Sequence, residues 1–84
     1  MIETVQSAAR DAKTGLQEFA HAQGLEPPAY RVVATEGPDH AMTFTVEVDL
    51  SGQPAQRGKA RSKRAAEHAA AALMLSQARE GQHG

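Results

Sequence analysis

The sequence predicts an α+β domain in the order α-β-β-β-α. A three-stranded antiparallel sheet carries both helices on one of its faces. Three observations lead there. Residues 12–23 set apolar side chains at helical spacing and stop at Gly24. Residues 43–50 alternate polar and apolar without a break. A basic stretch, residues 57–64, runs straight into an alanine-rich segment, and alanine has the best helix propensity of all residues. Elements with one apolar side must bury it against one another, and two helices over one dry sheet face is the simplest such packing.

In chain order, residues 1–10 are polar and small, without an apolar stripe. They are expected to form a linker, a frayed helical lead-in or a segment boundary, with the domain itself at 11–79. On a wheel of 3.6 residues per turn, Ala12, Leu16, Phe19, Ala20 and Gln23 fall on one side of the first helix. Thr14, Gln17, Glu18 and His21 gather on the other, within about 100°. Gly24 is a natural helix stop, and Pro27-Pro28 forbids continuation. A first strand is expected over 30–35, with Tyr30 and Val32 on one face and Val33 on the other. Glu36-Gly37-Pro38-Asp39-His40 is a turn by composition.

The second strand, 42–50, is the clearest element. Phe44, Val46, Val48 and Leu50 make a dry face, and Thr43, Thr45, Glu47 and Asp49 a wet one, the pattern of a sheet covered on one side. Ser51-Gly52-Gln53-Pro54 turns the chain into a short third strand, 55–60. The last helix should start at Lys63 and end at Gln77 or Arg79, with Ala65, Ala66, Ala69, Ala72 and Leu73 facing inward. Tyr30, Phe44 and Leu73 are expected in the core, and residues 80–84 as a disordered tail.

Composition narrows the function. Eighty-four residues make one small domain with a modest core. There is no cysteine, which excludes disulfides and thiolate zinc sites and fits a cytoplasmic location. No apolar run approaches the ~20 residues that cross a bilayer, so no membrane partner is expected. The N-terminus lacks the basic start and apolar stretch of a secretory signal.

Positive charge, in contrast, is concentrated. The net charge is −1 and the chain holds nine Lys and Arg against ten Asp and Glu, yet five of the nine basic residues lie within 57–64 and no acidic residue does. Ser62 is placed to cap the last helix. Lys63 and Arg64 follow it, where unpaired N–H groups and the helix dipole already favour an anion. Clustered cations at a helix start suit a row of phosphates better than a high net charge would.

Catalytic patterns fail on inspection. Residues 52–59 faintly echo a phosphate-binding loop, but five residues separate Gly52 from Gly58, and Ala60 stands where a hydroxyl should hold magnesium. Glu47 and Asp49 on one wet strand face read as solvation. The four histidines show no ligand spacing, and no nucleophile elbow marks a serine hydrolase. No metal or cofactor is expected for this stretch.

Taken in order, Lys13-Thr14-Gly15-Leu16-Gln17-Glu18-Phe19, Pro28-Ala29-Tyr30, Gly37-Pro38-Asp39-His40, Phe44-Thr45-Val46-Glu47-Val48 and residues 58–71 resemble the double-stranded-RNA-binding domain family. The likeness is strongest to the C-terminal domain of bacterial ribonuclease III, and it covers about residues 11–75. It implies the same α-β-β-β-α fold and three RNA-contact regions. Thr14, Gln17 and Glu18, with His21 as a secondary candidate, match a helix lying in a minor groove. His40, with Pro38 and Asp39 beside it, matches a loop entering the next minor groove. Ser62, Lys63 and Arg64, with Lys59 and Arg61 as secondary candidates, match the residues straddling major-groove phosphates. An A-form minor groove is wide, shallow and lined with 2′-hydroxyls, whereas the major groove is too narrow to read and offers only its phosphates.

Two residues depart from the family pattern. Ala60 stands where a second glycine is common, and Glu67 where lysine is frequent in the wider family, though bacterial ribonuclease III often has an acid there. Both suggest weaker binding. The carboxylate-rich nuclease signature of ribonuclease III, near Glu-Arg-Leu-Glu-Phe-Leu-Gly-Asp, does not occur in the chain. The expectation is a non-catalytic double-stranded-RNA binder, excised from or linked to a magnesium-dependent nuclease domain in a longer parent. A free-standing binder or a protein-interaction module of the same fold is the alternative.

Overall fold

The computed structural model describes the backbone over residues 2–83 and the side chains over 12–80. The elements are α1 (Ile2–Ala22), β1 (Ala29–Glu36), a 3-10 turn (Asp39–Ala41), β2 (Thr43–Leu50), β3 (Gln53–Ala60) and α2 (Lys63–His83). The sheet order is β1-β2-β3, antiparallel throughout. The order of elements is the one the sequence predicts.

Both helices run further than expected. α1 begins at Ile2, so of the alternatives for the N-terminal segment its backbone takes the helical one. Nothing between Ile2 and Lys13 breaks a helix: there is no Pro and no Gly, and Ala8, Ala9 and Ala12 favour one. α2 continues to His83, past the expected end and through most of the expected tail. A lone Gly81 costs a helix only about 1 kcal/mol.

The end of α1 is built by Gly24. Its φ is +72°. The N–H of Gly24 donates to the carbonyl of His21 at 3.1 Å, and the N–H of Leu25 to that of Ala20 at 2.8 Å. These are the two bonds of a Schellman motif, and Leu25 is folded back onto the core next to Ala20. Gln23 has already left the helix and is exposed, which corrects its place on the inner side of the wheel.

The core lies between the sheet and the helices. Leu16 and Ala20 of α1, Val48 and Leu50 of β2, and Ala70, Ala71, Met74 and Ala78 of α2 form one buried cluster. Leu16, Met74, Val46 and Val48 are the largest fully buried side chains among the described residues. The inner stripe of α2 is therefore Ala66, Ala70, Met74 and Ala78, with Ala71 beside it. It replaces the expected stripe of Ala65, Ala66, Ala69, Ala72 and Leu73, and Leu73 is 50% exposed rather than core. The face is selected by Gly58 of β3. A Cβ at Gly58 would lie 2.5 Å from the carbonyl oxygen of Ala66 and 2.7 Å from the Cβ of Ala69, and would strike the amide nitrogen of Ala70. The α2 backbone rests directly on β3 at that point.

The strands explain two further departures. β1 carries a bulge at Val33, between the pairs Val32–Val46 and Ala34–Thr45. The extra residue shifts the alternation and sets Thr35, which is exposed, opposite Phe44. β3 is a full strand, starting at Gln53. Pro54 is tolerated there because β3 is an edge strand. A set of amides ties its start to α2. Gln77 Nε2 donates to Gln53 Oε1 at 3.2 Å and to the carbonyl of Pro54 at 3.1 Å, while Gln56 Nε2 donates to Gln77 Oε1.

Candidate nucleic-acid interface

Three surface elements carry the residues singled out by sequence. Thr14, Gln17, Glu18 and His21 are all exposed on α1. They line an open groove of about 400 Å³ together with Leu25 and Pro27. The last two were not among the candidate contact residues of the sequence reading. The turn at Gly24 sets them opposite the α1 side chains, a consequence of backbone geometry that residue type alone does not advertise.

The second element is the β1–β2 connection. Gly37 has φ +94°, and a Cβ there would lie 2.6 Å from the carbonyl oxygen of Ala41. Only glycine fits this doubled-back path. The carbonyl of Pro38 accepts from the N–H of Ala41 at 2.9 Å, closing the 3-10 turn. Pro38, Asp39 and His40 are all exposed on it.

The third is the start of α2. Ser62 Oγ accepts from the N–H of Ala65 at 3.1 Å, so Ser62 is the N-cap that the sequence suggests. Arg61, Lys63 and Arg64 are exposed. Among the described residues no carboxylate pairs with any of the three. The first turn contains no acid, so the helix dipole and the cations add there.

The rest of the basic run is engaged elsewhere. Arg57 and Arg31 flank Glu47 on the outer sheet face as its direct cross-strand neighbours. Arg57 Nε donates to Glu47 Oε1 at 2.9 Å, and Arg31 donates to Oε2 at 3.0 Å. Glu47 is consequently only 8% exposed, although it sits on the face expected to be wet. Hydrogen bonding from Arg57, then the bond and charge of Arg31, hold its carboxyl below the ordinary range against the opposing effect of desolvation. Lys59 pairs with Thr45 on the same outer face, and its Nζ lies 3.8 Å from Glu36. The structure thus separates Arg57 and Lys59 from Arg61, Lys63 and Arg64, which the sequence groups as one run. No group of three or more His, Cys, Asp or Glu is placed to hold a metal among the described residues.

Topology brings the elements together. Glu36 pairs with Thr43 and Phe44 with Ala60, so the β1–β2 loop and the entry to α2 share one end of the sheet. Lys13, adjoining Thr14, bonds across to Glu67 of α2, one turn beyond Lys63. The start of the polar α1 face therefore lies near the start of α2.

Comparison with known proteins decides the family. The double-stranded RNA binding motif matches residues 12–77. The chain belongs to the double-stranded-RNA-binding motif family. It is 53% identical over 75 residues to ribonuclease 3 of Cereibacter sphaeroides, a match that covers 89% of this chain and 33% of that protein. With ribonuclease 3 of Phenylobacterium zucineum it shares 53% identity over 73 residues, covering 87% and 30%. The chain thus spans about a third of the length of these relatives. A structure of Arabidopsis HYL1 superposes with a TM-score of 0.71 at 31% identity, covering 81% of this chain and 96% of that one. The domain is homologous to the binding-motif region of bacterial ribonuclease 3, as the sequence resemblance implies, and has the fold of the plant domains. No helix is long and apolar enough to cross a membrane among the described residues.

Proposed function

We propose that this domain binds double-stranded RNA by shape, and that it holds substrate for a covalently linked nuclease domain of the ribonuclease III type. In this reading the chain itself is not catalytic, and magnesium chemistry belongs to the linked domain, in the cytoplasm. The observation that carries the reading is the pairing of two unlike surfaces near one end of the fold. Thr14, Gln17, Glu18 and His40 offer donors and acceptors suited to 2′-hydroxyls, whereas Arg61, Lys63 and Arg64 at a capped helix start offer unpaired charge suited to phosphates. A minor groove, a phosphate-lined major groove and a second minor groove follow one another along A-form RNA, and domains of this kind span about 16 base pairs.

The protein-interaction alternative finds less support. The charges on the outer sheet face are satisfied by one another around Glu47, and a surface of that kind gains little by desolvation against a partner. Titration with an RNA duplex of about 16 base pairs, and with its single strand, tests the reading. The duplex should bind several-fold more tightly, with little dependence on its sequence. Equal affinity for the single strand would overturn it.

A further inference from the structure

We infer that Lys13 and Glu67 are positioning residues for duplex recognition, a strut that sets the minor-groove face of α1 against the phosphate-facing start of α2. The inference rests on the proposed RNA-binding function. Sequence reading treats Glu67 as a lost cation and hence a sign of weaker binding. The structure gives it a partner instead. Lys13 Nζ lies 2.6 Å from Glu67 Oε1, across 54 residues of chain, with the Glu67 side chain 20% exposed and that of Lys13 37%. The same ammonium sits 5.1 Å from the centroid of the Tyr30 ring. The phenol of Tyr30 is pushed up, first by burial and then by the nearby charge of Glu67.

The position of this pair matters more than its strength. Lys13 immediately precedes Thr14, and Glu67 follows Lys63 and Arg64 by one helical turn. The pair therefore joins the backbones that carry two of the three candidate contact regions. Elsewhere the α1–α2 contact is apolar: Leu16 and Ala20 of α1 share one cluster with Ala71, Met74 and Ala78 of α2, and α1 presents Gly15 to Leu75. Burial of apolar surface holds the helices together but is non-directional. A charge-assisted bond is directional and sets their register. Glu67 carries no uncompensated charge toward a phosphate, because its proton-rich partner is already in place.

The test compares Lys13→Met, Glu67→Gln and the double variant with the parent, each titrated with RNA and DNA duplexes of one sequence at matched salt, alongside thermal unfolding. The strut predicts that Glu67→Gln loses about fivefold in RNA affinity, the scale of a ~1 kcal/mol contact. DNA affinity should hold, because phosphate attraction does not need the α1 register. The double variant should be no worse than Lys13→Met, and Lys13→Arg, which keeps the charge, should stay near the parent. A general loss of folded protein would lower RNA and DNA binding together and contradict the strut. Glu67→Gln binding RNA as tightly as the parent, or more tightly, would leave Glu67 as no more than a lost cation and overturn the strut. A parent without RNA preference would instead overturn the proposed function on which the strut rests.

Discussion

Lys63 separates binding from stability most cleanly. It is exposed, lies in the first turn of α2 and contacts no described carboxylate. Lys63→Glu should change unfolding free energy by no more than ~0.5 kcal/mol, as for most surface changes, since an acid in the first turn is slightly favoured by the dipole. RNA affinity should fall several-fold or more, equally for all duplex sequences, because phosphate contacts position without specifying. Thermal unfolding and duplex titration of one sample check both halves. Glu47 offers a test by pH. Its folded carboxyl binds a proton more weakly than the unfolded one. The Arg31–Glu47–Arg57 pairing therefore stabilises above the unfolded carboxylate pKa and is lost as pH falls through the lowered folded value. Across that window the parent should lose more stability than Glu47→Gln in urea titrations at stepped pH, and parallel losses would refute it. Residues acting over short sequence distance were legible: Ser62 caps α2 because a capping side chain reaches only a few residues ahead. Glu67 was not legible, because its partner lies 54 residues away and no local pattern announces it.

Among the elements, β2 was the most legible because a half-covered strand writes its burial into strict alternation. α2 was the least. Its alanine-rich sequence has apolar positions on every side, so periodicity alone does not choose the buried face. Gly58 chooses it, by admitting the helix backbone onto β3 at Ala66 and Ala70. In β1 the shared face of Tyr30 and Val32 was legible, opposite Val48 and Val46, but the bulge at Val33 that interrupts the period of two was not. The close approach at Gly58 has a measurable consequence. Gly58→Ala adds one methyl that meets backbone atoms, which cannot rotate away. It should lower the unfolding free energy by about 2 kcal/mol or more, at the upper end for overpacking, although alanine suits a strand better than glycine. A chemical denaturation midpoint equal to that of the parent would show that α2 does not rest on β3 there.

At the scale of the whole molecule, a small core holds a surface whose chemistry is divided. Few large side chains are fully buried among the described residues, as befits a small domain with a modest core. Cations are satisfied on the outer sheet face and left unpaired among described residues at the entry to α2, while α1 and the β1–β2 loop present neutral and acidic polar groups. A surface that bound only by charge would treat all duplexes alike. One that also engages 2′-hydroxyls across a wide minor groove distinguishes RNA from DNA. The most direct measurement is the affinity of this chain for RNA and DNA duplexes of one sequence, about 16 base pairs long, at a series of matched salt concentrations. Tighter binding of RNA at every concentration is the expected result, with both affinities falling as salt rises. Equal affinity for the two duplexes would contradict recognition by shape and leave only a cationic patch.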